Sequence, residues 1–316
     1  MFWNKKPDPR PFGIPLDGLE ISLKAGNMKT ERDGNTLIAR QNGITTRISV
    51  DQPKDRQTED GMIQAVVTIR NELPAELAPF LAKSEAINAF NPMTTIGALM
   101  VERGKPVIGS RITVYEGEDA WDLQVHLVMA AALVSAQTMM GAVRRVLTGE
   151  GTNTDQNTGS SWSDDDMEEV QGYLSKLSVC TAGGGGLTAE FGLRSGNLSA
   201  AQGDHYTALW KLNTEQPHPE AGGGLFCLLE MPHQVPDEAH LGLIVDKLNV
   251  MEMSPLDLPP HIGAWCPGSL GNNPAYVTFL PNYLHDKRGL ALNVSFWAIN
   301  RAQWANAMLA SLGVRA

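Results

Sequence analysis

Gly224-Leu225-Phe226-Cys227-Leu228-Leu229-Glu230-Met231, followed by Val235-Pro236-Asp237-Glu238, is the passage from which the fold is read. An apolar run with glycines before it and prolines after it reads as a buried strand. Pro236 and the carboxylates behind it then open a helix. Proline has no N–H to lose in a first turn, and acidic side chains suit the positive end of a helix. The same signals occur once before. Residues 62–69 alternate apolar and polar, and Leu73-Pro74-Ala75-Glu76 follows them.

Working outward, the first half reads as strands at 36–41, 45–50 and 62–69, then a helix from 73 to about 89. Strands at 95–102 and 107–115, turned by Arg103-Gly104-Lys105-Pro106, and a long helix over about 119–147 complete it. No helix is evident before its first strand. The second half opens with Asp164-Asp165-Asp166, read as the capped start of a helix running to 177. Strands at 187–193, 206–213 and 225–231 come next, then a helix to about 251, strands at 262–265 and 275–280, and a helix over about 290–312. Ile96-Gly97-Ala98 falls at the place of Ile262-Gly263-Ala264. Residues 123–129 and 290–298 also alternate with period two, so each reads as strand or helix.

Between the halves lies GEGTNTDQNTGSSWS, residues 149–163, with the composition of a flexible linker. The chain therefore divides into 1–148, 149–163 and 164–316. The fold class is α+β: two similar units, each a twisted antiparallel sheet packed against helices, related by internal duplication. Two such units would pack as an intrachain pseudo-dimer, and a further homodimer stays open.

This order of elements resembles the type III secretion chaperones and the YbjN-like proteins. The resemblance is carried by the passages 224–231 with Pro236-Asp237-Glu238 and 62–69 with Pro74-Ala75-Glu76, and it covers roughly 20–147 and 165–312. It implies an acidic cytoplasmic protein without catalytic apparatus, offering sheet edges and apolar grooves to a polypeptide partner. Such chaperones are usually single units that dimerise, whereas here two units share one chain.

Composition narrows the function classes. The chain has 316 residues, 42% hydrophobic and 19% charged, with formal net charge −10, and carries no basic run suited to a phosphate backbone, so nucleic acid is not expected as a partner. Residues 123–143 lack Asp, Glu, Lys and Arg and are long enough to cross a bilayer. Their Gln, His, Ser and Thr content suits a helix inside a soluble protein, so no membrane is expected. The N-terminus has no secretory apolar stretch. Three widely spaced cysteines, Cys180, Cys227 and Cys266, form neither a disulfide framework nor a paired zinc motif, which fits the cytoplasm.

Candidate chemistry is sparse. Gly183-Gly184-Gly185-Gly186 lacks the Lys-Ser/Thr of a phosphate loop and leads into a strand. Cys266, with His261 nearby, is the one nucleophile–base pair worth naming. His218, His233, His240 and His261 lack paired metal-ligand spacing, although a cluster with Glu220 or Glu238 is conceivable. Neither a metal nor a cofactor is expected. On the last helix Trp297, Arg301, Trp304 and Met308 share a face, and these residue types mark interface centres as well as cores. Phe279 and Tyr283 lead into that helix and would shape a pocket mouth. The favoured reading is a non-catalytic, chaperone-like polypeptide-binding protein. A small-ligand or regulatory domain with its pocket between the sheets is the alternative, and a Cys- or metal-dependent hydrolase the third.

Overall fold

The computed structural model describes residues 16–51, 65–81, 83–114, 118–149, 158–193, 206–254, 258–269, 271–285 and 289–314. Its first half runs α1 (Leu16–Ala25), β1 (Lys29–Asp33), β2 (Thr36–Gln41), β3 (Ile44–Asp51) and β4 (Ala65–Glu72). A short 3-10 turn (Ala75–Leu77), α2 (Ala78–Leu81) and α3 (Ser84–Phe90) follow, then β5 (Ala98–Glu102), β6 (Lys105–Val114), α4 (Glu118–Leu133) and α5 (Ser135–Thr148). The second half runs α6 (Asp164–Leu174), β7 (Val179–Gly183), β8 (Gly186–Gly192), β9 (Thr207–Asn213) and β10 (Gly224–Glu230). It ends with α7 (Glu238–Glu252), β11 (Ala264–Pro267), β12 (Pro274–Pro281) and α8 (Leu290–Ser311).

The protein is α+β, with two six-stranded antiparallel sheets. Their orders are β1-β2-β3-β4-β6-β5 and β7-β8-β9-β10-β12-β11, which are the same order. Period-two burial places one side of each strand inward: β3 buries Ile44, Thr46, Ile48 and Val50, and β8 buries Leu187, Ala189 and Phe191. Leu37, Ile48 and Val67 of one sheet, Leu187, Trp210 and Leu229 of the other, and Leu127, Val128, Leu290, Val294 and Ala298 of the long helices form one continuous core.

The two halves repeat particular bonds as well as strand order. The Asn91 amide donates to Leu99 O and accepts from Leu99 N, at 3.3 and 2.8 Å. Asn249 makes the same two bonds with Trp265, at 2.9 and 2.7 Å. Leu99 and Trp265 are each the second residue of the edge strand. Arg47 pairs with Glu72 at 3.0 Å, and Lys211 pairs with Glu230 at 2.7 Å, from matching positions on matching strands.

Where the edge strands β5 and β11 stop short, each half fills the gap with the other. The backbones of Arg111 and His261 exchange two hydrogen bonds at 3.0 and 2.7 Å, and Phe279 N donates to Thr95 O at 3.0 Å. Counted along β5–β6 and β11–β12, Arg111 corresponds to Phe279 and Thr95 to His261, so the contact is reciprocal. Helices α3 and α7 meet in the same manner. Ser84 donates to Asp246 at 2.5 Å, and a Cβ on Gly242 would strike the amide of Asn88.

Several elements differ from the sequence expectation. The first half does open with a helix, α1, whose Leu19 and Leu23 are buried. Gly18 and a charged outer face obscure its pattern. The outer strands β1 and β7 were not expected. Lys29-Thr30-Glu31-Arg32-Asp33 has no apolar alternation, and β7 is rich in small residues. The helix expected over 73–89 is three short pieces. Pro79 cannot donate a helical N–H, and a second break separates α2 from α3. The strand expected from 95 begins at Ala98, because Gly97 sits at φ +105°. Residues 124–129 and 290–298 are helical. The stretch Gln124–Thr148 is long and apolar enough to cross a membrane; it is interrupted at Val134, and its Leu127, Val128, Ala131, Met139 and Val143 are buried. Within the expected linker, residues 150–157 lie outside the described residues, and 158–163 are pinned. Ser160 Oγ donates to Gly224 O at 2.8 Å, and Trp162 is buried.

Candidate functional site

The most heavily charged buried region lies where the two halves meet. Glu252, at the end of α7, accepts from Arg301 Nε at 2.8 Å, Trp265 Nε1 at 3.2 Å and His261 Nδ1 at 2.6 Å. Arg301 also lies 3.9 Å over the Tyr276 ring and donates to Pro260 O. Arg111 reaches across from the other half to the carbonyls of Glu252 and Pro259, both at 2.8 Å. Burial opposes the charge of Glu252, but Arg301 and the His261 ring hold its carboxyl down at about 2. Burial, with Arg301 and Arg111 adding to it, lowers His261 despite the opposing pull of Glu252, so the ring is neutral and donates through Nδ1. Every one of these groups is enclosed, and the bonds hold the halves together. Sequence spacing could not show this cluster, because its members lie 141 to 148 residues apart where Arg111 crosses over.

The structure does not bring Cys266 and His261 together: no hydrogen bond joins them. Cys266 is buried with Ala275 and Val277, on the side of β11 opposite Trp265, and burial together with the Glu230 carboxylate pushes its thiol up to about 12. Such a thiol is not a nucleophile at neutral pH. The histidines are dispersed. His218 Nε2 donates to Met93 O (2.9 Å), and its Nδ1 accepts from Glu220 N and Ala221 N. His233 is buried, bonded to Asn306 and lowered to about 4 by burial. His240 caps α7 with Asp237.

Of the residues expected on a binding face, Arg301 and Phe279 are buried, and Trp297, Trp304 and Met308 are half-buried against the core. Trp304 lies against Trp265 at 6.5 Å between ring centroids. Tyr283 is the exposed member of the set, at 47%.

Tyr283 lines a cleft of about 460 Å³ between the halves. Val134, Gln137 and Thr138 at the start of α5 form one wall. The loop Glu220-Ala221-Gly222-Gly223 and Pro281-Asn282-Tyr283 form the other. Glu220 is held by Arg145 of α5, and Gly141 leaves room for that carboxylate. Thr46 bonds to α4 at Ala132 where Trp210 bonds to α8 at Ser295. Counting on from that pair, Thr138 and Gly141 fall at the places of Arg301 and Trp304, whose side chains fill the second half. The Asn282 wall of the cleft already holds backbone. Ser161 N donates to Asn282 Oδ1 and Asn282 Nδ2 donates to Gly159 O, both at 2.8 Å, and any side chain on Gly223 would collide with Gly159. Gln137 and Asn282 are the signal that sequence reading passed over, since neither amide stands out without the fold.

Comparison with known proteins finds no matching family model, no matching curated protein and no matching solved structure.

Proposed function

We propose that the chain is a non-catalytic, chaperone-like binding protein, formed by internal duplication into an intrachain pseudo-dimer, that takes an extended polypeptide segment in the cleft between its units. The observation that carries this reading is the Asn282 clamp. The side-chain amide there meets one backbone N–H and one backbone C=O of the chain's own residues 161 and 159, which is the chemistry of sequence-tolerant peptide recognition. Gln137, whose Nε2 also donates to Gln41 Oε1 at 3.4 Å, presents a second side-chain amide on the opposite wall, and Tyr283 supplies an exposed ring for apolar contact. The repeated Asn91 and Asn249 bonds and the reciprocal Arg111–His261 and Phe279–Thr95 contacts support duplication. Three free cysteines support a reducing, cytoplasmic setting.

The cleft's volume also falls in the range of small-molecule pockets, roughly 300–1,000 Å³, so the small-ligand alternative is tested alongside. The probe is fluorescein-labelled, reduced and carboxymethylated α-lactalbumin, followed by anisotropy. Saturable binding that weakens in Tyr283→Ala and Gln137→Ala, with unchanged melting, supports polypeptide binding. No binding, together with a metabolite that raises the melting temperature of the native chain but not of Tyr283→Ala, overturns it in favour of the small ligand.

A further inference from the structure

The two described sheets have four edges, and they are not alike. β5 and β11 face the junction between the halves. β1 carries Lys29, Glu31, Arg32 and Asp33, charges that discourage a further strand. The remaining edge is β7, Val179-Cys180-Thr181-Ala182-Gly183, which has no charged residue and no proline. The proposed function does not use it.

The phase of β7 follows from its turn. Gly183 pairs with Gly186 across only Gly184 and Gly185, both at positive φ, so Gly183 and Gly186 exchange hydrogen bonds. Alternation then directs the backbone N–H and C=O of Cys180 and of Ala182 away from β8. Gln171 Nε2 donates to Cys180 O at 3.1 Å, in agreement with that direction. A carbonyl oxygen has a second lone pair. Cys180 N and both backbone groups of Ala182 have no partner among the described residues.

We propose that β7 is an interface between two copies of this chain, paired antiparallel about a two-fold axis at Thr181, so that their second-half sheets join into one. In this register Cys180 faces the partner's Ala182, and Ala182 faces the partner's Cys180. Both are hydrogen-bonded pairs, and together they use every outward backbone group of these residues. Thr181 meets the partner's Thr181 at the closer, non-hydrogen-bonded position, a favourable cross-strand pair. Val179 falls opposite the partner's Gly183, which has no side chain to obstruct it.

Two observations select a second copy over an unrelated strand. The first is charge. Helix α6 runs antiparallel to β7: exposed Lys176 stands where β7 begins, and Asp164 Oδ1 accepts from Gly185 N at 2.8 Å just beyond its end. The two-fold sets Lys176 level with the partner's Gly186, at the end held by the partner's Asp164, and it does so twice. Parallel pairing would instead bring like charges together. The second is apolar surface. Leu177 and Val179 flank this edge at 64% and 70% exposure, side chains that an isolated edge leaves in water.

Sedimentation velocity of the full chain, from micromolar to sub-millimolar concentration, tests the assembly. A species of twice the chain mass that grows with concentration is expected. Thr181 is exposed, so Thr181→Lys leaves the melting temperature of the dilute chain unchanged. It sets two like charges opposite each other and is expected to weaken the dimer by about tenfold or more. The register is read by cross-linking. With Cys180→Ser as background, Thr181→Cys is expected to form an intermolecular disulfide under mild oxidation, because non-hydrogen-bonded partners stand about 4.5 Å apart at Cα. Val179→Cys is not, since its own counterpart lies four residues along the partner strand. The proposal is overturned by a chain that stays monomeric throughout, by a dimer that Thr181→Lys leaves intact, or by cross-linking no greater at Thr181→Cys than at Val179→Cys. A monomer whose binding of carboxymethylated α-lactalbumin is weakened by Thr181→Lys also overturns it and gives the edge to a polypeptide. Tyr283→Ala leaves the dimer unchanged, so the edge and the junction cleft are tested apart.

Discussion

Gly97 and Gly263 meet the same obstacle in the two halves of the chain. A Cβ on Gly97 would strike Gly109 O and the Ser110 side chain, and a Cβ on Gly263 would strike Val277 O and the Thr278 side chain. Ser110 and Thr278 both donate to the carbonyl just before the glycine, Ile96 O at 3.3 Å and Ile262 O at 2.5 Å. Beyond the ladder pairing, the start of each edge strand is thus held close to its neighbour by one glycine and one hydroxyl.

Alanine at either glycine should therefore destabilise the protein by about 2 kcal/mol or more, since the facing atoms are backbone and cannot move aside. Gly97→Ala should be the worse, because its φ of +105° adds strain for any L side chain. Urea denaturation checks this. Changes within ±0.5 kcal/mol at both positions would contradict the close approach.

Glu252 is the acceptor at the centre of the buried charges. Glu252→Ala leaves Arg301 and His261 without it, and removal of one partner of a buried pair typically costs about 3–5 kcal/mol. Glu252→Gln keeps the shape but loses the charge and should fall between Ala and the native residue. Equal stability of all three proteins would show that the cluster contributes nothing to holding the halves together.

Acid should weaken the fold in two stages. Burial lowers His218, His233 and His261, with His233 at about 4. Unfolded imidazole titrates near pH 6.5, so below that value the unfolded chain binds more protons and stability falls with pH, until the folded values are reached. Glu252 acts lower down: its contribution is complete above its ordinary value of 4.5 and is lost as pH falls toward about 2. Melting temperature should decline steadily from pH 7 to 4, and His233→Gln should flatten the upper part of the slope. A melting temperature independent of pH across that range would refute the neutral, buried histidines.

Thiol reactivity separates the three cysteines. Burial raises all three thiols, but Cys180 is only half-buried on β7 whereas Cys227 and Cys266 are enclosed. In the native protein a disulfide reagent should modify one thiol per chain readily and the other two only on unfolding. Fast native labelling of Cys266 would reopen the nucleophile reading.

Trp304 tests whether the aromatic face of α8 is core. Trp304→Ala should lower stability by about 2–4 kcal/mol through loss of its packing on Trp265. Unchanged melting would place it on a free surface instead.

How much of this was legible in the sequence depends on the kind of signal. The inner strands β2, β3, β8, β9 and β10 and the long helices follow from apolar periodicity, which reports burial directly. The outer strands do not, because β1 has no buried face to advertise and its charged residues protect an open edge. The echo of Ile96-Gly97-Ala98 in Ile262-Gly263-Ala264 was readable as letters, but its meaning was not until the facing carbonyls were located. Cys266 and His261 looked close because five residues separate them, yet strand alternation turns Cys266 away from the buried charges. Tyr283, read from the sequence as shaping a pocket mouth, lines the junction cleft, while the opposite wall of that cleft comes from α5, which no local pattern connects to it.

The reciprocal contacts at the junction bear on how the halves stay associated. Segments joined in one chain meet at an effective concentration in the millimolar range for short connections. Backbone bonds such as those of Arg111 with His261 and Phe279 with Thr95 then need not, by themselves, be strong enough to capture a freely diffusing partner. The interface also falls on each residue once per molecule, so Thr95 and His261, or Arg111 and Phe279, are free to change one at a time. A cleft on one side and a packed tryptophan on the other is an arrangement that two identical chains, obliged to alter both sides together, could not adopt.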